Sequence, residues 1–254
     1  MKQQYSEDTL QSVQSAFVTR EIPVEERIIK RRIGFFTGDE NHVITLEEGI
    51  EMTRNYRKTA GKDAVKGGYF GREIFEKILA QKFCVGIRLY HGTHESGKPT
   101  FVLSGVETNG NDLYQGVLGQ EMRLNQPSNS SPNALNSDTW KKSVSVKRES
   151  KVFTGSENHY VTLAEASEYT RNFRLTMKEG DSKGRYFGSS IFRKILAQDG
   201  CVGIRVYHAR HDDGSPTSVL VGVDEYGFDL ISGVVGQKAM DCPPWCGIVN
   251  PLNR

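Results

Sequence analysis

The residues of this chain that could do chemistry come in pairs. All six histidines do so: His42 with His159, His91 with His208, and His94 with His211. His91-Gly92-Thr93-His94 and His208-Ala209-Arg210-His211 sit where a strand-like run enters a turn, with Glu95 or Asp212-Asp213 next in sequence. Two neutral imidazoles and a carboxylate can ligate zinc or another first-row metal, which makes His91, His94, His208 and His211 candidate ligands. The competing reading is ordinary turn histidines copied with a duplicated gene, because no further motif completes a ligand set.

A second pair is Thr53-Arg54-Asn55-Tyr56-Arg57 and Thr170-Arg171-Asn172-Phe173-Arg174. Arg54, Asn55 and Arg57, like Arg171, Asn172 and Arg174, place two guanidinium groups and an amide near one helix face. Such a face can fork a phosphate or carboxylate, or serve as an interface. It can equally pair with Glu51 or Glu168 on the same helix. Arg88 and Arg205 share a strand face with Tyr90 and Tyr207, where stacking is the structural reading.

Cys242-Pro243-Pro244-Trp245-Cys246 occurs once. Cys242 and Cys246 could form a small disulfide loop, a redox pair or half a metal site. The spacing is not that of the redox C-x-x-C, so a surface turn with reduced thiols stands beside those readings. Cys84 and Cys201, one per strand, read as small apolar packing residues.

The pairing has a single origin. Sliding the chain by 117 residues superimposes its halves without a gap, and 49 of the 85 positions from Phe36 to Gln120 are identical to their counterparts. Thr37-Gly38-Asp39-Glu40-Asn41-His42 lies over Thr154-Gly155-Ser156-Glu157-Asn158-His159. Lys77-Ile78-Leu79-Ala80-Gln81 lies over Lys194-Ile195-Leu196-Ala197-Gln198. The register persists to Asn133-Ala134-Leu135-Asn136, which falls under Asn250-Pro251-Leu252-Asn253. Two copies of about a hundred residues make a tandem rather than a solenoid. The boundaries read as an arm (1–29), a first repeat (30–136), a polar linker (137–146) and a second repeat (147–254).

Within a copy, Thr45-Leu46-Glu47-Glu48 and Thr162-Leu163-Ala164-Glu165 are T-x-x-E capping boxes opening a helix. Leu46, Gly49, Thr53 and Tyr56 follow at helical spacing. After a loop containing Gly and Lys, Ile74, Phe75, Ile78 and Leu79 mark a second helix. Residues 84–90 alternate as a strand; turns at Gly97-Lys98-Pro99 and Asn109-Gly110 lead to further strands around 100–106 and 113–118. Each copy is therefore expected to be α-α-β-β-β, an α+β fold with a small antiparallel sheet covered by two helices. The arm carries a short apolar stripe, Leu10, Val13 and Phe17, suited to docking in an assembly.

The runs Ile78-Leu79-Ala80-Gln81 and Cys84-Val85-Gly86-Ile87-Arg88, the later Gly-x-Pro and the tail Cys242-Pro243-Pro244-Trp245-Cys246-Gly247 form an ordered set. In it the chain resembles a family of small, mostly single-domain bacterial proteins ending in C-P-P-x-C-G. The resemblance covers both copies and implies no established activity. The first copy departs from it, with Asn125 and Asn129 where the second has Cys242 and Cys246. So does the His after the strand tyrosine, where that family often has another aromatic.

Composition bounds the function. Lys plus Arg is 33 against 31 for Asp plus Glu, a net charge of +2, which gives no general pull toward nucleic acid or anionic lipid. No apolar run approaches the roughly 18 residues of a membrane span. The N-terminus lacks the apolar core of a secretory signal, and with only four cysteines the chain is expected in the cytoplasm. Walker, H-E-x-x-H and G-x-S-x-G motifs are missing. The leading expectation is a non-catalytic structural or interaction protein that assembles with itself or with another protein, without a cofactor. A peptide or small-ligand module using two copies for avidity, and a metal-dependent enzyme on the histidine turns, are the alternatives.

Overall fold

Thr45 and Thr162 each accept the amide of the residue three positions on, while Glu48 and Glu165 reach back to the cap amide, so both capping boxes form as their sequences require. These boxes open the first helix of each half in the computed structural model, which describes residues 36–61, 64–121 and 153–254. The stripe Leu10, Val13 and Phe17, the linker, and Asn125 and Asn129 lie outside the described residues.

The first half runs β1 (Val43–Ile44), α1 (Leu46–Thr59), β2 (Gly67–Gly71), α2 (Arg72–Leu79), β3 (Cys84–Thr93), β4 (Pro99–Glu107) and β5 (Leu118–Gln120). The second runs α3 (Leu163–Arg174), β6 (Gly184–Gly188), α4 (Ser189–Leu196), β7 (Cys201–Arg210), β8 (Pro216–Asp224), β9 (Val235–Gly236) and β10 (Met240–Cys242). Most elements recur 117 residues on. The class is α+β, with helices on antiparallel sheets. The connection between the helices differs from the loop expected there: it contains β2 or β6, because Tyr69-Phe70 and Tyr186-Phe187 are buried on both sides of the strand. The third strand starts later than expected, at Leu118; residues 114–116 form a turn and bend instead.

The strands do not stay with their own half. One five-stranded sheet has the order β1-β9-β8-β7-β2 and the other β10-β6-β3-β4-β5. Hence β2 of the first half is antiparallel to β7 of the second, and β6 is antiparallel to β3. Helices follow the exchange: α1 lies on β7 and β8, α3 on β3 and β4. The boundaries of the sequence repeats are thus not the boundaries of packing, and all described residues fall in one compact unit.

Glycine and tyrosine make the contact at each exchanged pair. Gly86 faces Gly188 and Gly203 faces Gly71 across the swapped pairs. A Cβ on Gly86 would stand 2.4 Å from the Tyr186 ring, and one on Gly203 would stand 2.6 Å from the Tyr69 ring. Each V-G-I-R strand therefore leaves a slot that only the tyrosine of the other half fills. The main core spans both halves as well. Phe75 of α2 stacks on Phe192 of α4 with ring centroids 5.4 Å apart, among Ile78, Ile87, Ile195 and Ile204.

Candidate functional site

A polar clasp is formed twice, once in each direction between the halves. Helices α2 and α4 begin at Gly71 and Gly188, which offer no side-chain cap. Their free amides are satisfied from the F-T-G-x-E-N-H loop of the other half. The Gly188 amide donates to His42 Nε2 (2.9 Å) and the Ser190 amide to the Gly38 carbonyl (2.8 Å). The mirror contacts are Gly71 to His159 Nε2 (2.8 Å) and Glu73 to the Gly155 carbonyl (2.9 Å).

Three further groups tighten each clasp. Phe36 meets the Tyr186 ring edge-on at 4.3 Å, and Phe153 stacks on Tyr69 at 3.8 Å. The Tyr186 hydroxyl donates to Glu40 (3.2 Å) and that of Tyr69 to Glu157 (3.3 Å). The carboxylates also accept amides of their own loops, from Thr37 and Gly38 or from Thr154 and Gly155. Burial pushes the Glu157 carboxyl up, but hydrogen bonds from Thr154 and Gly155 outweigh it and hold it below its ordinary value. Burial raises both tyrosine hydroxyls, keeping them protonated donors.

Hydrogen bonding fixes the tautomer of the clasp histidines. A backbone amide only donates, so Nε2 of His42 and His159 must accept. Nδ1 must then carry the proton and donate to the carbonyl of Lys238 or Gln120, each at 2.9 Å. Both rings are buried, and burial lowers both pKa values.

A buried ion pair anchors each hairpin. Arg88 pairs with Asp112, which also accepts the Tyr90 hydroxyl (2.6 Å) and the Asn250 amide (2.7 Å). Arg88 further donates to the carbonyls of Gly110 (3.1 Å) and Trp245 (2.9 Å). Arg205 pairs with Asp229, and the Tyr207 hydroxyl donates to the other Asp229 oxygen (2.6 Å). Burial works against both guanidinium charges, but the aspartates outweigh it and raise the arginine pKa values. The stacking expected of Arg88 and Arg205 on Tyr90 and Tyr207 is present but long, 6.0 and 5.9 Å.

The histidine turns do not share a ligand geometry. His91 and His208 are partly buried, their rings stacked 6.3 Å apart at 17°. Arg185 of β6 donates to His91 Nε2, and Tyr56 of α1 and Phe101 of β4 stack on His208. A guanidinium on the ring nitrogen occupies the lone pair a cation would need. His94 and His211 point elsewhere, toward Gln120 and Gln237. Among the described residues no group of three or more His, Cys, Asp or Glu is placed to hold a metal ion. Burial lowers the His91 pKa well below its ordinary value and, with the nearby Arg185 charge, brings His208 to about 4.

The T-R-N-x-R helices also point at the other half. Asn55 donates to Asp212 (3.0 Å) and Asn172 to the Thr93 carbonyl (3.3 Å). Arg54 pairs with Glu51 on its own helix, and Arg57 lies 3.5 Å from the Thr53 hydroxyl. Arg174 donates to the Leu252 carbonyl (2.6 Å) and Lys183 to that of Asn253 (2.7 Å), holding the C-terminal segment. Arg171 is on α3 and exposed.

Cys242 and Cys246 are joined in a disulfide, in place of the reduced thiols of the alternative reading. The loop they close presents the Trp245 carbonyl to Arg88 and the Trp245 ring to Phe36. Cys201 is buried and Cys84 partly so, each thiol close to a strand carbonyl, and burial raises both thiols.

Sequence reasoning missed Glu40, Glu157, Tyr69, Tyr186, Asp112, Asp229 and Arg185. Identity between the halves flagged all but Arg185, which stands where the first half has Gly68. No helix among the described residues is long and apolar enough to cross a membrane. Compared with known proteins, the chain matches no family model, no curated protein and no solved structure.

Proposed function

We propose that this is a non-catalytic structural or interaction protein whose two interlocked halves form one rigid subunit for self-assembly. The observation that carries the reading is where the paired chemistry goes. His42, His159, Glu40, Glu157, Tyr69 and Tyr186 meet one another across the halves, and the buried Arg88 and Arg205 are held by aspartates and carbonyls. These groups are bound into the scaffold, with hydrogen bonds already made on the atoms a substrate would need.

What the arrangement supplies is a stiff body carrying two near-equivalent outer surfaces. A subunit of that kind can build a closed ring or an open filament, depending on which surfaces meet. Light scattering on the purified full chain, with negative-stain images of the same sample, tests the proposal. Particles well above the 28.5 kDa chain mass support it. A monomer at all concentrations overturns it.

A further inference from the structure

The end of the second half is held by a four-residue turn, Asn250-Pro251-Leu252-Asn253. The turn bonds to itself, the Leu252 amide donating to Asn250 Oδ1 (2.8 Å) and the Asn250 amide to Asn253 Oδ1 (3.0 Å). Its seat supplies the rest. Buried Asp112 accepts Asn250 Nδ2 (2.7 Å), while Arg174 and Lys183 donate to the carbonyls of Leu252 (2.6 Å) and Asn253 (2.7 Å). Leu252 is wholly buried, in one apolar cluster with Tyr90, Val102 and Leu118. Proline at the second position of the turn shows that no amide is needed there.

Every part of this seat is present a second time. The counterparts of Asp112, Arg174 and Lys183 at the 117-residue register are Asp229, Arg57 and Lys66. Asp229 is buried against Arg205 as Asp112 is against Arg88. Tyr207, Val219 and Val235, the counterparts of Tyr90, Val102 and Leu118, again form one buried cluster. Arg57 and Lys66 line a common cavity of about 170 Å³. The first half leaves the described residues close to it, because the Glu121 carboxylate lies against Gly68, two positions after Lys66.

The sequence beyond Glu121, outside the described residues, contains a matching turn. Asn133-Ala134-Leu135-Asn136 follows Glu121 at the spacing at which Asn250-Pro251-Leu252-Asn253 follows Lys238. We infer that this segment docks within its own chain on the second seat. Asn133 meets Asp229, Leu135 enters the cluster of Tyr207, Val219 and Val235, and the last two carbonyls meet Arg57 and Lys66. Ala134 replaces Pro251 at the one position that need donate nothing. The segment thereby pins α1 to the β7–β8 hairpin, as its counterpart pins α3 to the β3–β4 hairpin.

Hydrogen exchange on the full chain, read by NMR or mass spectrometry, tests the docking. The amides of Asn133, Leu135 and Asn136 are expected to exchange on the order of a hundredfold more slowly than in an unstructured chain. Arg57→Ala/Lys66→Ala removes two charge-assisted hydrogen bonds and should speed that exchange at least about tenfold. The amides of Asn250 to Asn253 keep their own cations and should not change, and those of β7 and β8 report that the variant is folded. Exchange at unstructured rates in the wild type overturns the inference, as does protection unaltered in the double variant. Protection that grows with protein concentration assigns the seat to a second copy and overturns docking within the chain.

Discussion

Lowering the pH from neutral should weaken this fold through His208. The ring is enclosed by Tyr56 from α1, Phe101 from β4, His91 from β3 and the Arg185 charge from β6. Folded, its pKa is about 4; unfolded, it returns to 6.5. Between those values the unfolded chain binds the proton and the folded chain does not, so stability falls as pH falls. The contribution is fully present above pH 6.5 and lost by about pH 4. At 1.36 kcal/mol per pH unit it amounts to roughly 3 kcal/mol, of which about 2 kcal/mol is gone by pH 5. The assay is urea unfolding of wild type and His208→Phe at a series of pH values from 7.5 to 4.5. Phenylalanine keeps a ring between Tyr56 and Phe101 but cannot be protonated. The variant should therefore lose about 2 kcal/mol less than wild type between pH 7 and pH 5. His42, His91 and His159 are lowered in the same sense, so a residual slope is expected. Equal slopes in the two proteins would refute the account of a neutral, partly buried His208.

Asp112→Ala leaves Arg88 charged and buried without its partner, and should cost about 3–5 kcal/mol. In a melt that is a fall on the order of 10 °C. His42→Ala strands the Gly188 amide and the Lys238 carbonyl, a loss of about 1–3 kcal/mol for each group left unpaired. Nitrogen NMR of the wild type should find both clasp histidines protonated at Nδ1, and an Nε2–H tautomer would contradict the clasp. Reducing Cys242–Cys246 opens a five-residue loop and should lower stability by about 2 kcal/mol. Cys242→Ser should show that loss without reductant and none on adding it.

The sequence by itself determined the local structure. The two T-x-x-E boxes, the apolar spacing of α2 and α4 and the alternation along β3 and β7 act over a few residues, so they can be read without knowing what they pack against. It also determined that most of what one half builds is repeated in the other, because 49 of 85 aligned positions are the same. Which half would receive each element was not legible. Gly86 can take Tyr186 or Tyr69 as far as composition goes, since the two halves carry the same Y-F-G and V-G-I-R runs. Only tertiary structure chose Tyr186, and with it the pairing of β6 to β3. That choice makes His42 and His159 caps on the helices of the other half and brings the His91 and His208 rings together. Local patterns report which face of an element is apolar, but identical faces in two copies present identical codes. The difference between pairing within a half and pairing across halves lies in long-range packing alone.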